Sequence, residues 1–332
     1  MPSITFEGQD REVLPGETVL DCLLRSGVAV PHSCKAGACQ SCLMKAESNV
    51  GLESAQAGLK DTLRAQGYFL ACSLRPSADV AVSLPGGEVR TAARITGLDS
   101  LNETVLRVRL RVEEPFPYYP GQFLSLVRSD GLARSYSLAS LPHESDLELH
   151  VRRIPGGAMS EWLHSDSPEG ETVWLQGPAG NCFYVPGSPE EPLLLVGTGT
   201  GLAPLYGIAR DALAQGHTGP IWMFHGALTP AGLYLTRELQ EMSARHANLH
   251  YVRAALRDGG VDGVEDGELD ACIRARLPKL AGFKAYVCGD PALVNSLRKK
   301  LFLAGIASKA IYADAFLPSS SPSPLPQSAA CT

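Results

Sequence analysis

The chain has 332 residues, 45% hydrophobic and 19% charged, which gives room for two or three domains and excludes wholesale disorder. Its net charge of −6 argues against nucleic acid as the main partner, and no apolar run approaches the ~18 residues of a membrane span. The opening Met1-Pro2-Ser3-Ile4-Thr5-Phe6-Glu7 lacks the basic-then-apolar plan of a secretory signal. Nine cysteines, an odd number with four of them early, fit metal ligation in a reducing cytoplasm better than a disulfide framework.

Residues 1–86 read as a small β-rich unit. Val80, Val82 and Leu84 alternate with Ala81 and Ser83, the period of a half-buried strand. Leu84-Pro85-Gly86-Gly87-Glu88 reads as a linker. Over residues 87–188 the strand signals continue: Leu106, Val108, Leu110 and Val112 alternate with Arg107, Arg109 and Arg111. Turn residues recur at Tyr119-Pro120-Gly121, Ser129-Asp130-Gly131 and Pro155-Gly156-Gly157, a spacing that predicts an antiparallel β-barrel.

After Gly187-Ser188-Pro189 the pattern changes. Apolar runs at Leu193–Val196, Ile221–Phe224, Leu249–Val252, Ala285–Cys288 and Ala310–Tyr312 are separated by helical stretches such as Pro204–Leu213 and Ala231–Arg245. This alternation predicts an α/β doubly wound parallel sheet over 189–317. The Ser/Pro-rich stretch 318–332 is expected to be a disordered tail. The three segments carry net charges of −2, −4 and 0, so none has the basic excess that phosphate-backbone binding requires.

The cysteines carry the strongest signal. Cys34, Cys39 and Cys42 form C-x4-C-x2-C, and Cys72 follows after 29 intervening residues. Four thiolates, the last from a distant segment, can enclose two irons bridged by two sulfides, and this is the plant-type [2Fe–2S] spacing. Gly37, with small Ala36 and Ala38 beside it, lets backbone N–H groups turn toward the sulfurs. The competing reading is structural zinc, but zinc sites usually pair two short C-x2-C knuckles and only one is present. Cys22, Cys182, Cys272 and Cys331 read as ordinary buried or tail thiols.

Arg134-Ser135-Tyr136-Ser137 lies on a predicted strand, where Arg134 and Tyr136 share a face. A guanidinium suits a pyrophosphate, a phenol ring can lie against an isoalloxazine, and the Ser137 hydroxyl can reach a ring nitrogen. Further on, His150-Val151-Arg152 leads through Gly156-Gly157 into a predicted helix at Met159-Ser160, whose first N–H groups can hold a phosphate. Alone, the tetrapeptide would be a plain surface strand; beside the cysteine loop it points to a flavin.

Val196-Gly197-Thr198-Gly199-Thr200-Gly201 follows a buried strand and opens a helix, a plan that lets a dinucleotide pyrophosphate approach the backbone. The spacing departs from G-x-G-x-x-G, and a ligand-free packing turn is the alternative. Cys288-Gly289-Asp290 ends a later strand at the edge where such folds bind ligands. Cys288 there is either a neighbour of the nicotinamide or a buried strand thiol. His246 and His250, flanking a predicted helix end, are expected to be exposed.

In order and spacing the four motifs resemble the ferredoxin–NAD(P)H reductase components of bacterial multicomponent oxygenases, with an N-terminal plant-type [2Fe–2S] domain. The resemblance covers residues 1–317 and implies a β-grasp-like α+β ferredoxin domain, an antiparallel β-barrel flavin domain and a doubly wound nucleotide domain. It implies that Cys34, Cys39, Cys42 and Cys72 bind the cluster. It assigns Arg134, Tyr136, Ser137, His150, Val151, Arg152, Gly157, Met159 and Ser160 to FAD, with Phe316 covering the flavin. It assigns Gly199, Thr200, Gly201, Cys288, Gly289 and Asp290 to NAD(P)H, and makes Ser137 and Cys288 the catalytic pair. Departures are Asp314 where Glu is usual, Asn181-Cys182 before Phe183, and Arg257 where serine is common. Arg257 either reaches a 2′-phosphate or is a solvated loop arginine, which bears on NADH, the favoured donor, against NADPH.

The expected function is electron transfer from NAD(P)H through FAD to the cluster and on to a terminal oxygenase or ferredoxin partner. The chain is expected to work as a cytoplasmic monomer without nucleic acid or membrane. One alternative is a related reductase serving another acceptor, such as a deoxysugar dehydratase. Another is a redox-sensing binding module without turnover, against which the intact Gly199–Gly201 loop and Cys288-Gly289 argue.

Overall fold

The computed structural model describes residues 2–48, 51–59, 63–64, 66–85, 90–165 and 168–316. The glycines of the expected linker, Gly86 and Gly87, and the expected tail 318–332 with Cys331 lie outside them. The chain divides into two units, one ending at Pro85 and the other at Leu317.

In the first unit, β1 (Ser3–Phe6) buries Ile4 and Phe6 on alternate positions, as a strand with one covered face must. It pairs antiparallel with β2 (Gln9–Glu12) and parallel with β5 (Val80–Ser83). β3 (Leu43–Ala46) joins β5 to β4 (Tyr68–Leu70), giving the order β2-β1-β5-β3-β4. A helix over Val19–Arg25 buries Val19, Leu20, Cys22 and Leu23. It starts at a capping box: the Thr18 hydroxyl accepts from Asp21 N–H at 3.2 Å and the Thr18 N–H donates to the Asp21 carboxylate at 3.4 Å.

The second unit contains two sheets. The first runs β10-β7-β6-β11-β8-β9, all antiparallel: β6 (Arg90–Ser100), β7 (Val105–Val112), β8 (Phe123–Val127), β9 (Ala133–Ser137), β10 (Leu147–Arg152) and β11 (Thr172–Ala179). A bridge between Leu138 and Leu149 draws its two edges together into a barrel. Val108, Leu110, Leu124, Leu126, Leu149 and Leu175 fill it. The charged face of β7 is paired: Arg107 with Glu148, Arg109 with Asp99 and Arg111 with Asp146.

The other sheet is parallel throughout, in the order β15-β14-β13-β12-β16-β17. Its strands are β12 (Leu193–Thr198), β13 (Ile221–Ala227), β14 (Leu249–Ala255), β15 (Val264–Asp266), β16 (Lys284–Gly289) and β17 (Ile311–Ala315). Both faces are covered, which is why β12 reads as an unbroken apolar run. The helices Leu202–Ala214 and Thr236–Arg245 cover one face, and Leu269–Arg276 and Pro291–Leu303 the other. The chain grows outward from β12 to β15 and then returns to β16 beside β12. The strand order therefore reverses there and opens a crevice at their carboxyl ends.

Barrel and parallel sheet share one interior, for Val105, Cys182 and Tyr184 join the core formed by Leu195, Ile208 and Tyr286. A buried polar contact of His150 crosses it. His150, on β10, shares a proton with Glu148 through Nε2 at 2.8 Å, and its Nδ1 lies 3.1 Å from Tyr234 Oη. Burial lowers the His150 pKa and so favours the neutral ring; its Nε2–H then donates to the carboxylate and the Tyr234 hydroxyl donates to Nδ1. Burial alone would raise Glu148, yet His150 and Arg107 hold it down at about 2. Replacing Tyr234 by Phe leaves a buried ring nitrogen without a donor. We expect Tyr234→Phe to lose about 1–3 kcal/mol, read as a lower midpoint for this unit in denaturant unfolding; an unchanged midpoint would show that the contact contributes nothing.

Candidate functional site

The cysteine loop follows Ser33 and wraps through left-handed backbone at Lys35 (φ 52°), Gly37 (φ 72°) and Gln40 (φ 58°). Such turns aim successive N–H groups inward. Ala36 N–H and Cys39 N–H point at Cys34 Sγ at 3.3 and 3.4 Å, Cys34 N–H points at Cys39 Sγ at 3.5 Å, and the Ser41 hydroxyl donates to Cys39 Sγ at 3.2 Å. Within each pair one thiol is drawn down and its partner pushed up: the Cys39 thiol and nearby N–H groups draw Cys34 down to about 5 while Cys39 itself rises, and the Cys42 thiol with Ser73 and Gly37 N–H draws Cys72 down to about 6 while Cys42 rises. The sulfurs thus stand as two neighbouring pairs, Cys34 with Cys39 and Cys42 with Cys72. Among the described residues no three His, Cys, Asp or Glu side chains gather to hold a single ion. Two pairs of thiols ringed by N–H donors fit a diiron cluster with two cysteines per iron better than one tetrahedral zinc.

In the second unit, Arg134 and Tyr136 lie on β9 opposite Leu126 and Leu124. Tyr136 is half-buried against the barrel core, and Arg134 is half-buried with its guanidinium on the Ala133 carbonyl at 2.7 Å. Ser137 is buried at the end of the strand. Arg152 projects from the end of β10, exposed, and its Nη1 would lie 3.7 Å from a Cβ placed on Gly199. The flavin-type segment and the nucleotide-type turn are therefore neighbours.

The turn Gly199–Gly201 is a single 3-10 turn between β12 and the helix Leu202–Ala214. At Gly201 a Cβ would stand 2.3 Å from the Cys288 carbonyl oxygen, so only glycine lets the two backbones meet. Beyond Cys288, Gly289 accepts from Phe316 N–H at 2.8 Å, which draws the half-buried Phe316 to the same edge. Asp314 pairs in register with Cys288, and burial raises it to about 6. Gly199, Gly201, Cys288, Gly289, Asp314 and Phe316 thus converge at the switch point of the sheet.

Several expected cofactor residues have side chains engaged elsewhere. His150 is occupied by Glu148 and Tyr234, and the side chains of Val151 and Met159 fill the barrel core. Ser160 Oγ accepts from Ile154 N–H at 3.0 Å and braces the Gly156-Gly157 turn. The Asp290 carboxylate caps the helix Pro291–Leu303, accepting from Ala292 and Leu293 N–H. The side chains at these positions are thus spent within the fold. The helix after Gly157 is short, Ala158–Leu163. Cys288, one of the expected catalytic pair, is fully buried with its sulfur 3.5 Å from Cys182 Sγ. Arg257 is exposed just after β14. His246 and His250 are half-buried, not exposed, and His250 stacks on Trp222 at 4.3 Å. Sequence reading missed Glu148 and Tyr234, which belong to no motif, and treated Cys182 as an ordinary thiol.

Family models match three successive stretches: the 2Fe-2S iron-sulfur cluster binding domain over 4–77, the oxidoreductase FAD-binding domain over 93–184 and the oxidoreductase NAD-binding domain over 195–299. The naphthalene 1,2-dioxygenase system ferredoxin–NAD(P)(+) reductase component of Pseudomonas putida is 34% identical over 311 residues, covering 91% of this chain and 94% of its own. The reductase subunit of an Amycolatopsis aromatic O-demethylase is 34% identical over 339 residues, covering 96% and 99%. The crystal structure of an Amycolatopsis cytochrome P450 reductase superposes with a TM-score of 0.69 at 30% identity, covering 96% of this chain and all of its own. With its paired thiols, barrel and glycine turn in this order, the chain belongs to the ferredoxin–NAD(P)(+) reductase components of oxygenase systems, oxidoreductases that use [2Fe–2S], FAD and NAD(P)H.

Proposed function

We propose that this reductase takes electrons from NADH at the β12/β16 edge and delivers them, from the Cys34/Cys39/Cys42/Cys72 loop, to a terminal oxygenase or a ferredoxin. The observation that carries the reading is the convergence of both cofactor segments: Arg152 beside Gly199, and Phe316 hydrogen-bonded to Gly289. When bound, FAD supplies the conversion of a hydride's electron pair into single electrons, and the cluster supplies a one-electron exit.

The residues divide the work. Arg134 and Arg152 would neutralise the FAD pyrophosphate, with the N–H groups after Gly157 beside them. Tyr136 would lie against the isoalloxazine, the Ser137 hydroxyl would reach its ring nitrogen, and Phe316 would cover its other side. Gly199, Thr200 and Gly201 would seat the nucleotide pyrophosphate at the start of the helix Leu202–Ala214, where unpaired N–H groups and the helix dipole favour anions. Cys288 and Asp314 would border the nicotinamide.

We assign these chemistries to residues 1–86, 87–188 and 189–317. NADH is the expected donor, with Arg257 the cationic side chain that would accept a 2′-phosphate. No helix among the described residues is long and apolar enough to cross a membrane. The free cysteines suit a reducing compartment, so we place the protein in the cytoplasm, working as a monomer. The relatives' names speak of oxygenase systems and favour such a partner over a deoxysugar dehydratase.

Anaerobic NADH added to the loaded protein should bleach flavin and cluster absorbance together; no bleaching with NADH or NADPH would overturn the reading. In Cys39→Ser the cluster spectrum should disappear while NADH still reduces the flavin, and loss of both in a folded protein would refute independent modules. Gly201→Ala should retain FAD yet slow flavin reduction by about 100-fold, because the added methyl displaces the Cys288 backbone by an ångström or so; stopped-flow spectroscopy reads this directly.

A further inference from the structure

Cys182 and Cys288 stand 106 positions apart in sequence, yet their sulfurs are 3.5 Å apart. Cys182 lies in the segment that leaves the barrel after β11, and Cys288 lies on β16. Both are buried, at 4% and 0% exposure, among Tyr184, Leu205, Ile208 and Tyr286. A disulfide needs sulfurs about 2.05 Å apart, so closure requires a shift of about 1.5 Å shared between the two segments. Cys182 lies just past the barrel and Cys288 within the parallel sheet of the same unit, and the Cys288 carbonyl backs directly onto Gly201.

From this geometry we infer that Cys182 and Cys288 are a peroxide-oxidisable thiol pair whose disulfide locks the nucleotide turn and slows hydride delivery. The oxidant is hydrogen peroxide, the two-electron reduction product of dioxygen. One thiol attacks a peroxide oxygen while its proton passes to the departing oxygen; the O–O bond breaks, water leaves and a sulfenic acid remains. The second thiol attacks that sulfur, the S–S bond forms and a second water leaves. Two thiols lose two electrons, and one peroxide gains two.

Two features direct the chemistry. With both sulfurs buried, a bulky disulfide such as oxidised glutathione is excluded and only an oxidant as small as peroxide suits the pair. The partner sulfur is already in contact, so the sulfenic acid is trapped before further oxidation. Drawing Cys288 toward the barrel pulls its carbonyl from Gly201 and moves the Gly199–Gly201 turn. A reductant such as dithiothreitol restores both thiols.

The test uses the loaded, full-length protein, treated with hydrogen peroxide without nucleotide, then alkylated under denaturing conditions and digested. We expect a Cys182–Cys288 linked peptide, and flavin reduction by NADH slowed about ten-fold and restored by dithiothreitol. Flavin reduction is the readout because peroxide also attacks iron–sulfur clusters. Cys182→Ser and Cys182→Ala should keep the untreated rate and escape the reversible slowing, either variant sufficing if the other does not fold. Free thiols at both positions after treatment, Cys288 recovered as sulfinic acid, or a linked peptide with an unchanged rate would each overturn the inference. The slowing rests on the proposed function whereas the linked peptide does not: failure of NADH to reduce untreated protein would count against that function alone.

Discussion

The second unit is organised around one backbone contact. Gly201 meets the carbonyl of Cys288 so closely that no side chain fits between them. That contact fixes the turn after β12 against the end of β16, where the parallel sheet reverses its order. From it follow the start of the helix Leu202–Ala214, the position of Gly289 and, through the Phe316 N–H, the return of the C-terminal segment to the same edge. A nucleotide pyrophosphate can approach such a turn because it presents backbone, not side chains. The constraint is steric, so any side chain at position 201 must displace the Cys288 backbone.

The joint between barrel and sheet obeys a different rule. Its apolar part, with Val105, Cys182 and Tyr184, supplies burial without direction. Direction comes from polar contacts, among them the chain Arg107, Glu148, His150 and Tyr234, each satisfied by the next, and the ion pair of Arg210 with Glu144. Buried polar groups are costly when unpaired, so this chain tolerates one alignment of barrel and sheet and penalises others. His150 thereby fixes β10, and with it the end of the strand that carries Arg152.

What the sequence disclosed follows from how local each cause is. The four cysteines were legible as candidate cluster ligands because three lie within nine residues and their spacing is the signal. Strand alternation showed β7, and unbroken apolar runs showed β12 and β13. The short edge strand β15 has too few residues to set a period. The helix expected from Pro204 begins at Leu202, since the preceding glycine turn already supplies its first bonds. Met159, Ser160 and Asp290 sit in motifs but spend their side chains on a core, a turn and a helix cap; a motif records a backbone path as often as a side-chain contact. The contacts Cys182–Cys288 and His150–Tyr234 join residues 106 and 84 positions apart, and no periodicity encodes such meetings.

The cysteines show how surroundings decide what one functional group becomes. In the loop from Cys34 to Cys42, left-handed turns point N–H groups at the sulfurs, and these stabilise the thiolate a metal requires. At Cys182 and Cys288 most neighbours are aromatic and aliphatic, and burial, then Cys182 and Asp314 beside it, pushes the Cys288 thiol up. An apolar pocket penalises the thiolate but neither the thiol nor the disulfide, both of which are uncharged. Metal ligation is therefore favoured in the first environment and covalent pairing in the second. The same chain can hold a cluster in a half-exposed loop and keep a dithiol in reserve beneath the nucleotide turn because N–H groups surround the sulfurs in one place and a buried core surrounds them in the other.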